Sequence, residues 1–147
     1  DNQFVAAVIA DLDLRSGELR YCNAGHSPPV AVAPDGCTRS LTGGGVPLGI
    51  LPGVSYTTHS ITLTPGELLA CYTDGIPEAE NDEGEHLGVG PVDESLVEHR
   101  SRDLAAIRQT VRHMVRDHRG RRGGHIDDIT LLLARWNGPG GEAPRGD

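Results

Sequence analysis

Apolar and polar positions divide the chain into a strand-rich first part, a helical segment and one closing strand. Residues 4–14 (FVAAVIADLDL) and 19–24 (LRYCNA) are β-rich runs joined by the turn Arg15-Ser16-Gly17-Glu18, a hairpin pattern. Residues 25–29 (GHSPP) are a loop, because proline supplies no backbone N–H to a helix interior or a central strand. Short strands are predicted at 30–33 and 37–41, on either side of the turn Pro34-Asp35-Gly36. Residues 54–63 alternate in polarity, which predicts one long strand with a half-exposed face. The turn Thr64-Pro65-Gly66-Glu67 then leads into the apolar run 68–72 (LLACY), bounded by turn residues and so a buried strand.

Beyond that strand the period changes. Residues 77–81 are predicted to make a helical turn, 81–85 (NDEGE) an acidic loop and 92–99 a helix. Ser101 is the expected cap of a second helix, about 102–118. Its residues Leu104, Ile107, Val111 and Met114 recur every three or four positions and form one buried face, with Gly120 as the stop. The last strand is expected at 126–136, and the Gly- and Pro-rich residues 137–147 are expected to be a disordered tail. Strands segregated from helices, joined mostly as antiparallel hairpins, give an α+β fold rather than a doubly wound parallel sheet.

Composition narrows the class. The net charge is −8 and all 13 basic residues are arginines. With no basic stripe on a strand or loop, nucleic acid is not an expected partner. The arginines between Arg100 and Arg122 read as a solvated helix face and the loop after it. No apolar run approaches the ~18 residues of a membrane span, and no secretory leader pattern is visible. Cys22, Cys37 and Cys71 are odd in number and never spaced C-x-x-C, so each reads as a small buried hydrophobe rather than part of a disulfide framework or zinc site. A reducing, cytoplasmic location is expected. The glycine-rich loop 43–49 lacks the Lys-Ser/Thr of a phosphate-binding loop and precedes no helix, so it carries no nucleotide site.

Candidate chemistry lies in the carboxylates at strand ends. Asp74 follows the run 68–72, and Gly75 is expected to turn the chain through backbone angles that other residues avoid. Such an Asp-Gly pair is also a common turn. The adjacent acids Asp127-Asp128, followed at once by the apolar Ile129-Thr130-Leu131-Leu132-Leu133-Ala134, add weight to a functional role. Side-by-side acids repel, and a hard divalent cation such as magnesium or manganese would relieve them.

Five motifs then fall in one order: Asn23-Ala24-Gly25-His26-Ser27-Pro28-Pro29, Pro47-Leu48-Gly49, Pro65-Gly66-Glu67, residues 72–79 (YTDGIPEA) and Asp127-Asp128-Ile129-Thr130. In order and spacing they resemble the C-terminal half of the SpoIIE-like branch of the PPM (type 2C) protein phosphatases, which includes the RsbU-type stress-response enzymes. The resemblance covers about residues 4–136. It implies part of an α-β-β-α sandwich with mainly antiparallel sheets, and a dinuclear magnesium or manganese site between them. It also implies that Asp74 and Asp127 are metal ligands, with Asp128 just behind them, and that His26 and its loop lie near the site. No residue is assigned a catalytic role. His113, His118 and His125 read as surface residues.

The resemblance further implies a protein serine/threonine phosphatase that acts on a phosphoserine or phosphothreonine of a regulatory protein, typically an anti-anti-sigma factor, through a metal-activated water. Family members carry two more acidic motifs upstream, Gly-Asp and Asp-x-x-Gly-His-Gly; here the only Gly-Asp is Gly146-Asp147. Residues 1–136 are therefore expected to be the C-terminal portion of a phosphatase domain, weakly active by itself. The alternative is a non-catalytic protein-interaction module derived from the same fold.

Overall fold

The expected hairpin forms from β1 (Ala7–Leu12) and β2 (Glu18–Ala24), paired from Ala7↔Ala24 to Leu12↔Leu19 in a computed structural model that describes residues 3–119 and 128–141. Strand β3 (Val30–Val32) pairs antiparallel with β4 (Thr38–Ser40) across the Pro34-Asp35-Gly36 turn. Two short segments, β5 (Gly44–Gly45) and β6 (His59–Thr62), add to β2. Strand β7 (Glu67–Tyr72) lies between β3 and β8 (Leu131–Trp136), antiparallel to both. Helices α1 (Val89–His99) and α2 (Leu104–His118) intervene between β7 and β8. The α+β expectation holds: two four-stranded, mostly antiparallel sheets, β1-β2-β5 with β6 also on β2, and β4-β3-β7-β8.

Strand pleating explains the layers. Successive side chains point to opposite faces of a strand. Leu68, Ala70 and Tyr72 of β7 join Val30 and Val32 of β3 against the buried faces of both helices: Val92 and Leu96 of α1, and Ile107, Val111 and Val115 of α2. On the opposite face, Ala31 and Leu69 meet Leu19 and Tyr21 of β2 together with Leu41, Leu63 and Trp136. The second sheet is thus covered on both sides, by helices and by the first sheet. Trp136 also ties the sheets together, its indole N–H donating to the Leu14 carbonyl at 3.1 Å.

Three elements depart from the sequence pattern. Only His59–Thr62 of the long strand predicted at 54–63 is strand. Its register on β2 runs from Glu18↔Thr62 to Tyr21↔His59. Two residues further along, the edge of β2 is already taken, because Asn23 and Ala24 pair with Gly44 and Gly45. The glycine loop therefore displaces residues that would have extended β6. Next, α2 is capped by Asp103 rather than Ser101: its side chain accepts from the Ala106 N–H at 2.7 Å. The buried face of α2 also rotates slightly, so that Val115 is buried while Leu104 and Met114 are half-buried. Lastly, Cys37 is exposed, whereas Cys22 and Cys71 are half-buried; all three are free thiols. The expected stop at Gly120 lies outside the described residues, as does most of the expected tail; residues 137–141 make a turn in which the Gly141 N–H donates to the Gly138 carbonyl at 3.1 Å.

A buried acid holds the turn before β7. Glu67 is fully buried. Its Oε1 accepts from the Arg39 guanidinium at 2.5 Å, and its Oε2 accepts from the Thr64 N–H at 2.8 Å and the Thr64 hydroxyl at 3.0 Å. Burial pushes this carboxyl up, but the Arg39 and Thr64 donors outweigh it and hold the group below its ordinary 4.5.

Two stability outcomes are expected. Replacing the fully buried Ile107 by Ala should cost about 2–5 kcal/mol, read from chemical denaturation. Glu67→Gln should cost roughly 1–3 kcal/mol at neutral pH. A depressed folded-state pKa contributes stability that is present above the unfolded value and lost as pH falls through the folded value. The gap between Glu67→Gln and the parent should therefore close as urea denaturation is repeated at pH values falling below 4.5.

Candidate functional site

Asp74 emerges where β7 ends, and the start of β8 is fastened beside it. The β7–β8 register ends at Tyr72↔Leu131. One residue on, the Thr73 N–H donates to the Thr130 carbonyl at 3.1 Å. The Thr73 hydroxyl donates to the Asp128 carbonyl at 2.9 Å and accepts from the Thr130 N–H at 3.0 Å. One threonine thus clamps the segment carrying the acidic pair to the strand end carrying Asp74. Asp128 is exposed; Asp127 lies outside the described residues, as does His125.

The turn after Asp74 differs from expectation. Gly75 does not adopt a positive φ, unlike Gly25 (φ 76°). The chain is turned instead by bonds from the Ile76 N–H to the Thr73 carbonyl (3.1 Å) and from the Glu78 N–H to the Asp74 carbonyl (2.9 Å). The helical turn predicted at 77–81 is replaced by this run of turns, with Ile76 and Ala79 buried beneath it.

The 25–29 loop carries the chain from β2 in one sheet to β3 in the other. Asn23 is buried and spends its amide on the loop: Nδ2 donates to the His26 carbonyl and Oδ1 accepts from the His26 N–H, each at 2.8 Å. His26 Nδ1 lies 2.8 Å from the Ser27 carbonyl, so Nδ1 carries the proton and donates. The backbone turns at Gly25, where a Cβ would lie 2.5 Å from Cγ of Pro47. Two of the five sequence motifs therefore pack against each other there. The loop's far end delivers the Ser27 hydroxyl to Asp74, where it donates to Oδ1.

Ser27 and Asp74 line a cavity of about 430 Å³ between the 25–29 loop, β4 and the start of α1. Glu78, His86 and Asp93 line it too, with Pro28, Val30 and Val89 as apolar wall. The Tyr72 hydroxyl donates to Asp93 at 3.3 Å. Burial pushes the Asp93 carboxyl up despite that bond. Burial and the neighbouring Asp93 push the Tyr72 phenol up as well, so it stays protonated and remains a donor.

Chemically the site offers carboxylate oxygen. Asp74 is exposed, with Oδ1 bonded to Ser27, and an exposed carboxylate on a fixed strand end suits a hard divalent cation. Among the described residues no three His, Cys, Asp or Glu side chains gather closely enough to hold a metal. Surface placement of the other histidines holds only in part: His113 is exposed, while His118 is half-buried and bonds the Glu85 carbonyl at 3.0 Å. Ser27, Thr73 and Asp93 were not singled out by the sequence. For Thr73 the signal is a hydroxyl next to Asp74 opposite a second strand's start; Ser27 belongs to the 23–29 motif whose loop is expected near the site, but nothing pairs it with Asp74, 47 residues away; for Asp93 there is none, since its partner is 21 residues away.

The chain matches the family described as Stage II sporulation protein E (SpoIIE) over residues 1–137. It is 29% identical over 140 residues to protein IcfG of Synechocystis, which covers 91% of this chain and 21% of that protein. The RsbU and RsbW domains of a Mycobacterium tuberculosis protein superpose with a TM-score of 0.73 at 29% identity, covering 90% of this chain and 36% of that one. The phosphatase domain of the Bacillus subtilis cell-fate determinant SpoIIE, presoaked with manganese, superposes with a TM-score of 0.66 at 20% identity, covering 96% of this chain and 59% of that one. This chain thus spans well under two thirds of each of these relatives.

The Thr73 clamp has a direct test. Thr73→Val keeps the shape and removes both side-chain bonds, so it should cost roughly 1–2 kcal/mol. The Thr130 amide, which donates to Thr73, should exchange with solvent markedly faster in that variant.

Proposed function

The chain belongs to the SpoIIE family, and from that membership we propose that it serves as part of a metal-dependent protein serine/threonine phosphatase. The observation that carries this reading is Asp74: a carboxylate on a rigid strand end, oriented by Ser27, at the mouth of a cavity and beside the clamped start of β8. Asp74 and Asp127 would hold magnesium or manganese, and Asp128 would sit just behind them. When bound, such cations would supply a water more readily deprotonated, and so a better nucleophile for in-line attack on phosphorus. The chain's own residues do the rest. Asp74 is held still by Ser27; Thr73 keeps the start of β8 alongside; Pro28, Val30 and Val89 narrow the approach. Hydrolysis by water needs no covalent phosphoenzyme, and none of the three cysteines lines the cavity.

The substrate in this reading is a phosphoserine or phosphothreonine on a regulatory partner protein, of the anti-anti-sigma type, and the setting is cytoplasmic signalling. Among the described residues no helix is long and apolar enough to cross a membrane. Asp74 and Asp127 are too few ligands for two cations that demand near-octahedral oxygen, so residues 1–147 alone should turn over weakly.

Manganese-dependent release of p-nitrophenol from p-nitrophenyl phosphate tests this. Residues 1–147 should stay near background. A polypeptide that also carries the family's Gly-Asp and Asp-x-x-Gly-His-Gly motifs ahead of residue 1 should turn over, and Asp74→Asn in it should fall to background. Turnover of the longer polypeptide that survives Asp74→Asn would remove Asp74 from the site. Absence of turnover in every form would leave the non-catalytic interaction module.

A further inference from the structure

We propose that Ser27 is a positioning residue: its hydroxyl fixes the rotamer of Asp74 and thereby sets the affinity of the site for a divalent cation. The inference rests on Asp74 being a metal ligand. A lone aspartate on an exposed strand end turns freely about two bonds, and either oxygen can face the site. Ser27 removes that freedom by donating to Oδ1. A hydroxyl has a single proton, so the bond commits Ser27 as donor and Oδ1 as acceptor and leaves Oδ2 for a cation. Metal-binding carboxylates gain order from such outer partners.

Ser27 can do this because its own position is over-determined. The His26 ring holds the Ser27 carbonyl at 2.8 Å, and the buried Asn23 holds both backbone polar groups of His26. On the other side Pro28 and Pro29 have their φ fixed by their rings. Gly25, pressed on Pro47, anchors the start of the loop. The hydroxyl therefore reaches Asp74, 47 residues later in the chain, from a scaffold rooted in the other sheet. The bond lies at an exposed position, where a single hydrogen bond contributes little to folding, so its effect is on orientation.

The test uses the longer polypeptide that carries the two further acidic motifs ahead of residue 1, and two readouts. One is manganese affinity, from the electron paramagnetic resonance signal of free manganese during titration. The other is the manganese concentration that gives half-maximal p-nitrophenyl phosphate turnover. Ser27→Ala should weaken manganese binding about 10-fold or more, and shift the half-maximal concentration to match. Turnover at saturating manganese should return close to the parent value, and the melting temperature without metal should not move. Ser27→Thr, which keeps the hydroxyl, should bind like the parent; Ser27→Cys, a weaker donor, should fall between. Manganese affinity unchanged by Ser27→Ala but weakened by Asp74→Asn would overturn the positioning role and leave the metal site standing. Affinity unchanged by Asp74→Asn would overturn the metal assignment itself.

Discussion

Strand β7 is hydrogen-bonded along both edges, to β3 and β8, and covered on both faces, by helices and by the other sheet. The three-residue β3 shares this placement, but β7 is twice as long and carries the chain to Asp74. A slip of one residue in its register would turn Leu68, Ala70 and Tyr72 away from the helices and bring Glu67, Leu69 and Cys71 in. Glu67 resists that slip, because it is buried on the pleat opposite Leu68 and held by Arg39 and Thr64. A buried carboxylate without such partners would be strongly destabilising, so the acid locks the register rather than merely tolerating it. What the register fixes in turn is the place where the strand runs out. Asp74 lies two residues beyond Tyr72, alongside the segment that leads into β8, which Thr73 holds in place.

The core of this arrangement was readable from residue order, and the places where reading failed share a cause. The run LLACY, the hairpin of β1 and β2, and the three- and four-residue spacing of α2 are local patterns, and each forms the element it predicts. The strand predicted at 54–63 is shortened by a competitor, Gly44–Gly45, for the same edge of β2. Nothing in the alternation of 54–63 reports that competitor. Ser101 and Asp103 are both good caps, and the second takes the role by accepting from the Ala106 N–H. Gly75 permits backbone angles that other residues avoid, but permission is not requirement, and successive backbone bonds make the turn without a positive φ there. Within the candidate site, Asp74 was legible as an acid ending an apolar strand; its contact with Ser27 was not, because that contact is created by the crossing from one sheet to the other.

That crossing gives the motifs a common physical meaning. Asn23 ends β2, the 25–29 loop bridges the sheets, Pro47 supports Gly25, Glu67 sets the start of β7, and Thr73 joins the ends of β7 and β8. None of these groups need touch a substrate. Each restrains one degree of freedom of the same carboxylate: its height along the strand, its neighbour across the ladder, or its rotamer. Sites held in this way lose little when they bind, since the ordering is done during folding.

Electrostatics sets the order in which such a site can be used. Asp74, Glu78 and Asp93 line one cavity in a chain of net charge −8, and burial already disfavours the charged form of Asp93. A phosphomonoester carries negative charge of its own, so its approach to Asp74 is repelled unless that charge is first neutralised. Among the described residues no arginine lines the cavity; Arg39 is engaged with Glu67, and Arg100 is engaged with the Pro34 and Val97 carbonyls. In the proposed phosphatase reading, cations bound by the acids would supply that neutralisation. In that reading the acids that repel the substrate are the same groups that would recruit what attracts it. Under the same proposal, affinity for a phosphoprotein would rise with cation concentration even in a variant too slow to turn over, a coupling that follows from the charge balance and not from the chemical step.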